Sequence, residues 1–228
     1  SPDIERFAPL VEAVFGDVDA TPRIPFRIAD RTMGNENPVA EFLLRMLKVA
    51  GGRLTVTDVL GLLSVHPVQD KFGLVEDDIR SFETWVREAG IRWAEDASDR
   101  TRHGQPEDGQ NTWRFGFDRL LLGSAMRGEG QRQFCGVLPY DEMEGGAAAV
   151  LGRVIDACEV LFSQVRLLRL MRSARAWSTV LLEMLDTLLS VDDQELWQMQ
   201  AVRSVLSDLS EHVDCARCTR DIALDGIQ

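Results

Sequence analysis

Residues 147–171 read AAAVLGRVIDACEVLFSQVRLLRLM, and residues 174–189 read ARAWSTVLLEMLDTLL. In the first stretch Leu151, Val154, Ile155, Cys158, Leu161, Phe162, Val165 and Leu168 recur at steps of three and four. In the second, Trp177, Val180, Leu181, Met184, Leu185 and Leu188 do the same. Such steps return a side chain to one stripe of a 3.6-residue turn, so both stretches predict amphipathic helices. A third, over 193–210, carries Leu196, Met199, Val202, Val205, Leu206 and Leu209, with Asp192 and Glu195 placed as a capping box. Long amphipathic helices joined by short links bury their stripes against one another, which predicts a bundle.

The same period extends toward the N-terminus. Asn111 or Thr112 caps a helix through Phe115, Leu120, Leu121 and Leu122 toward Met126. Residues 75–89 carry Ile79, Phe82, Val86 and Ala89 and stop at Gly90, where a left-handed residue is expected. Thr55 opens a capping-type start into Val59, Leu60, Leu62 and Leu63, and His66-Pro67 breaks that helix. Pro38 suits the first turn of a helix with Val39, Phe42, Leu43, Met46 and Leu47 on one face, ended by Gly51-Gly52. Residues 96–110, with Gly104, Pro106 and Gly109, predict a polar loop with room for one helical turn, and residues 127–145 a long connection. Asp3 caps a helix over 4–16, and residues 24–28 form the candidate strand, weakened by Pro25. The expected fold class is mainly α, with at most a short strand near residues 24–28.

Composition narrows the function. The chain is 45% hydrophobic and 27% charged, ordinary for a globular protein, with a net charge of −12. Phosphate neutralisation supplies most non-specific affinity for nucleic acids, so this balance argues against a strong free-standing DNA binder while leaving room for one basic face. Its basic residues are almost all Arg; Lys48 and Lys71 are the exceptions. No apolar run approaches the roughly eighteen residues a membrane helix needs. The chain starts at Ser1 and stops after Asp221–Gln228 without a cap or charged tail, so both ends read as cut from something longer. Cys158 falls on an apolar stripe and reads as core. Cys215 and Cys218 have CxxC spacing, but a zinc site takes four ligands and no second pair follows, so no metal is expected.

No catalytic residue and no cofactor are expected. A P-loop needs Gly before its Lys, yet Lys48 follows Leu47 and Lys71 follows Asp70. Carboxylate pairs at Asp77-Asp78 and Asp192-Asp193 suit helix starts, and Asp141-Glu142 lies in the connection. His66, His103 and His212 are isolated from one another. Two segments combine aromatic and guanidinium groups, which can stack on bases or pair with phosphates: Gly90-Ile91-Arg92-Trp93, and Thr112 through Gly123. They make Arg92, Arg114 and Arg119 the candidate DNA contacts. The plainer reading has the Trp and Phe side chains anchoring the core while Arg114 pairs with Asp118 one turn on. Arg166, Arg169, Arg172 and Arg175 step by three, wind around the helix and read as solvated edges.

These segments in order resemble a known family. Pro2-Asp3-Ile4-Glu5, Ala8 through Gly16, residues 24–31, Glu36-Asn37-Pro38, Phe72-Gly73-Leu74, Glu88 through Trp93, Trp113 through Gly123 and Leu138 through Glu142 resemble the gamma subunit (RecC) of exodeoxyribonuclease V. The likeness is clear over residues 2–145, weaker in the later helices and poor after about residue 211. Phe26, Phe117 and Ser124 depart modestly from the family pattern. The resemblance implies an internal fragment of a degenerate superfamily 1 helicase, with residues 1–32 a remnant of the 2A-type core and 33–228 a helical 2B-type domain. It implies a non-catalytic scaffold and DNA-channel role in double-strand break processing and recombination repair. RecB-like and RecD-like subunits would be its partners, DNA would be bound within the assembled complex, and the setting would be cytoplasmic. The 2B-type domain of an active helicase-nuclease, or a free helical interaction module, are the alternatives.

Overall fold

The computed structural model describes residues 37–126, 133–140, 142–143, 146–192, 196–215 and 221–227, with side chains of the last helix described through residue 208. The chain divides into two compact units, residues 1–38 and 39–228. The expected helix over 4–16, the strand at 24–28, the capping box through Glu195 and the side chains of Cys215 and Cys218 lie outside the described residues.

The described residues are mainly helical. In chain order the helices are α1 (Pro38–Gly51), α2 (Val56–Leu63), α3 (His66–Phe72), α4 (Glu76–Glu88), α5 (Ala97–Arg102), α6 (Trp113–Ala125), α7 (Ala147–Leu168), α8 (Ala174–Leu188) and α9 (Leu196–Cys215). Local chemistry sets most of their ends. The Thr55 side chain accepts from the Asp58 N–H, and Asp58 returns a bond to the Thr55 backbone. At α6 it is Thr112 that caps, accepting from the Phe115 N–H, while Asn111 takes a left-handed φ of 61°. Gly90 stops α4 with φ of 79°, which a residue lacking Cβ adopts without strain.

Three elements differ from the sequence reading. His66-Pro67 does not merely break α2; it opens α3, because a proline near the start of a helix gives up only a donor that has no partner there. Residues 97–102 form a short helix capped by Asp96, which accepts from the Asp99 N–H at 2.8 Å. The described residues also hold a strand pair that the sequence reading did not include: β1 (Arg172–Ser173) and β2 (Asp221–Ile222) run antiparallel, two residues each. Pairs that short carry no sequence period, so the tertiary fold makes them.

The core follows the stripes. Leu151, Val154, Cys158, Leu161, Phe162, Val165 and Leu168 of α7 are buried, as are Trp177, Leu181, Met184, Leu185 and Leu188 of α8. Helix α7 packs on α3, α4 and α8, and α8 packs in turn on α9. Phe82, Trp113, Phe117 and Phe162 join α4, α6 and α7 through ring centroids 5.7–6.3 Å apart. Full burial of such a side chain contributes roughly 1.5–3 kcal/mol before packing terms. Burial also pushes the Cys158 thiol far above its ordinary pKa, with Glu159 adding to the effect, so it stays a protonated core side chain. In α9, Met199, Val202 and Leu206 are buried but Leu196 and Val205 are exposed, so that stripe is only partly covered within this chain.

Candidate nucleic-acid interface

Three segments interlock beside the aromatic cluster: residues 52–56, 90–96 and 111–114. Ala94 donates its N–H to the Arg53 carbonyl at 2.9 Å, and Val56 donates to the Arg92 carbonyl at 3.1 Å. Arg92 donates to the Asn111 carbonyl at 2.9 Å, Trp113 to Ala94 at 3.0 Å and Arg114 to Glu95 at 3.0 Å. The Trp113 indole closes the knot by donating to the Leu54 carbonyl at 2.9 Å. Leu54 and Ala94, both fully buried, take left-handed φ values of 54° and 66°. A residue with a Cβ pays roughly 1–2 kcal/mol there, so the surrounding hydrogen bonds over-determine the conformation.

The knot is lined by charge. Glu95 is buried and accepts from Arg114 at 2.8 Å and also from Arg166, while Arg114 reaches Glu159 as well. Asp99 is buried too; it accepts from Arg169 at 2.7 Å and from the Glu95 N–H at 3.1 Å, with Arg102 at 3.6 Å. Arg169 is itself buried and donates further to the Ala50 and Gly52 carbonyls. Burial pulls the Arg114 pKa down, but hydrogen bonds to Glu95 and Glu159 outweigh it and leave it above the ordinary arginine value. For Arg169 burial prevails over the opposing Asp99 charge and the pKa is lowered. Burial works to raise the Asp96 pKa, yet the N–H groups of Asp99 and Ser98 and the Ser98 hydroxyl hold it below the usual carboxylate range.

The three candidate contact residues separate here. Arg114 is tied to Glu95 and Glu159, not to Asp118, because the fold carries buried and half-buried carboxylates closer than its own helix does. Arg119 donates to the Leu138 carbonyl at 2.9 Å and the Ala89 carbonyl at 2.6 Å, joining α6 to the turn after α4 and to the 138–140 segment. Arg92 is exposed, and its side chain makes no ion pair or hydrogen bond with a described residue. The reading of Arg169 as a solvated edge is corrected, since it is buried against Asp99; Arg166 is exposed as read, though it reaches the buried Glu95. Arg172 stacks over Trp177, its guanidinium carbon 4.8 Å from the ring centroid. Sequence reasoning missed Glu95 and Asp99, which sit just before and within the stretch read as a polar loop. The available signal was five carboxylates over residues 95–108, and nothing in it distinguishes buried from solvated.

Trp93 is the other feature of the knot. It is partly exposed, with the Arg100 guanidinium 5.0 Å and the Arg53 guanidinium 5.7 Å from its ring centroid. His103 meets it edge-on at 6.0 Å. Among the described residues no group of three or more His, Cys, Asp or Glu is placed to hold a metal ion, and no helix is long and apolar enough to cross a membrane.

The elements thus define a helical domain whose buried charges tie helices to one another. Residues 36–228 match the family described as the fourth domain of RecBCD enzyme subunit RecC, and the chain belongs to that family. It is 35% identical over 214 residues to the RecC subunit of Mycobacterium tuberculosis, covering 91% of this chain and 19% of that protein. Against the RecC subunit of Escherichia coli it is 36% identical over 184 residues, 81% of this chain and 16% of that protein. Against that of Mycolicibacterium smegmatis the identity is 36% over 215 residues, 87% of this chain and 20% of that protein. The chain spans about a fifth of the length of these curated relatives.

Proposed function

We propose that this chain is a non-catalytic scaffold and DNA-channel domain of a RecC subunit, working in a RecBCD-type complex in double-strand break processing and recombination repair. Its partners would be RecB-like and RecD-like subunits and DNA within the assembly, and its setting the cytoplasm. The observation that carries this reading is the family match across residues 36–228. The polar chemistry of the domain supports it, because Glu95 and Asp99 are both engaged by arginines that join helices. Residues 33–228 would be the helical 2B-type insertion and residues 1–32 the remnant of a 2A-type core. The helical architecture from Pro38 onward is compatible with that division. Of the three candidate strand contacts, Arg92 suits the role best, while Arg114 and Arg119 serve to hold helices.

Reconstitution tests the scaffold role. The full-length subunit carrying Trp113→Ala should lose stable association with its RecB-like and RecD-like partners in size-exclusion chromatography, and with it ATP-dependent degradation of linear duplex DNA. Intact assembly and activity after that change would overturn the scaffold reading. ATP hydrolysis by the purified subunit alone would instead favour an active helicase.

A further inference from the structure

Most described arginines lie within ion-pair distance of a carboxylate. Arg119 and Arg172 bond backbone carbonyls instead, and Arg53 and Arg92 depart from both patterns. Both are exposed, and neither side chain forms an ion pair or hydrogen bond with a described residue. In a chain of net charge −12, two guanidiniums left without carboxylate partners on neighbouring segments are unusual. Their segments are neighbours, because the bonds from Ala94 to Arg53 and from Val56 to Arg92 belong to one short two-segment ladder; the Arg53 side chain lies at Trp93, and that of Arg92 lines the adjoining groove with Val56, Leu60 and Arg87. Trp93 sits in that ladder between Arg92 and Ala94. The strained Leu54 and Ala94 immediately follow Arg53 and Trp93, and strain of this kind is held where a side chain must be presented in one direction.

The two cations near Trp93 are not equivalent. Arg100 is 14% exposed and lies 3.7 Å from Asp108, so its position is held. Arg53 is exposed and held by no carboxylate, so it can leave the ring. A planar π surface with one displaceable cation and two cations lacking carboxylate partners matches single-stranded nucleic acid, where bases stack on aromatic side chains and phosphates meet arginines. An acidic protein segment would use the arginines but has no comparable use for the ring.

We propose that Arg53, Arg92 and Trp93 form a contact for a single nucleic-acid strand: a base replaces Arg53 on the Trp93 ring, and Arg53 and Arg92 take the flanking phosphates. The proposal rests on the strand-channel reading above. It is tested by fluorescence anisotropy of the 228-residue chain with a fluorescein-labelled oligothymidylate across a salt series. Arg53→Gln/Arg92→Gln should flatten the dependence of log affinity on log salt by about 1.4, since each phosphate contact on a single strand contributes about 0.7. Trp93→Ala should weaken binding roughly tenfold or more, and Trp93→Phe should retain most of it. Thermal melting of Trp93→Phe and of the arginine pair should match the unsubstituted chain, which separates lost contact from lost fold. Arg80→Gln/Arg203→Gln, at exposed ion pairs elsewhere, should leave the slope unchanged. No oligothymidylate binding at low salt by the unsubstituted chain would overturn the proposal, as would an equal effect from the control pair. Assembly with partner subunits, measured on the same variants, keeps the two readings apart. Lost strand binding with retained assembly supports the contact. Lost assembly with unchanged strand binding makes the surface a protein contact and overturns it.

Discussion

Helices α7 and α8 and the knot around residues 89–114 are neighbours held by opposite forces. Between α7 and α8 the interface is a continuous apolar stripe, with Leu161, Val165, Leu181 and Leu185 each at 3% exposure or less. In the knot, backbone ladders and buried charges do the holding: Glu95 and Asp99 are 5% and 4% exposed and together engage arginines from α5, α6 and from the end of α7. Apolar packing is non-directional and tolerates small shifts. A buried ion pair offers little net stability over well-packed hydrophobes but penalises any arrangement that leaves one partner alone. The difference teaches that α7 and α8 are specified by volume and the knot by pairing. The knot is therefore the more sharply defined of the two, which suits a region that presents Arg53, Arg92 and Trp93.

The largest break in this comparison should come from Asp99→Ala. It strands the buried Arg169 and the Glu95 N–H, and losing one member of such a pair costs about 3–5 kcal/mol. Replacing both charges, as Asp99→Leu/Arg169→Met, should regain more than half of that loss in urea unfolding. A loss below about 1 kcal/mol for Asp99→Ala would mean that pairing does not hold the knot. Between α7 and α8, Leu185→Ala should cost about 2–5 kcal/mol, and Leu185→Met less than about 1.5 kcal/mol, because volume and not partner identity matters there.

Gly116→Ala probes the seam between the two regions. A Cβ on Gly116 would overlap the Ile91 side chain, which belongs to the knot, so overpacking should cost about 1–3 kcal/mol. Equal stability of the alanine variant by thermal melting would show that Ile91 can move and that the knot is looser than its hydrogen bonds imply.

The smallest effect should be in pH. Burial lowers the His103 pKa below its ordinary 6.5; Asp99 opposes this, and Arg169, Arg53 and Arg102 add to it. The folded chain therefore resists a proton that the unfolded chain accepts. This contribution to stability is present in full above about pH 6.5 and is lost as pH falls below it. His103→Gln should flatten the urea midpoint between neutral and mildly acidic pH relative to the unsubstituted chain. An unchanged slope would remove His103 from the account.

How much of this was legible beforehand differs by region. The stripes of α1, α2, α4, α7 and α8 could be read directly, since a 3.6-residue period and caps such as Thr55 act within a few residues of one another; in α6 the Thr112 cap was legible but the face was not, for Trp113, Phe117 and Leu120 are buried while Leu121 is exposed. The resemblance to RecC rested on the same local segments, and the family match agrees with it. The partners of Arg114 could not be read. Asp118 is one turn away in sequence, but Glu95 and Glu159 are 19 and 45 residues away and reach it only once three segments have interlocked. Arg169 was misread for the same reason, because steps of three around a helix do not say which step meets a neighbour.

The sequence by itself thus determined the helical class, most helix ends, most apolar faces and the family, because each depends on contacts within a few turns or on words of sequence in order. Only the tertiary structure decided which charges are buried, which guanidiniums remain without a carboxylate, and that Arg53, to which the sequence pointed in no way, stands beside Trp93. Those outcomes depend on segments about 40 residues apart being brought within hydrogen-bond reach, as Arg53 and Ala94 are, and no local pattern encodes that distance.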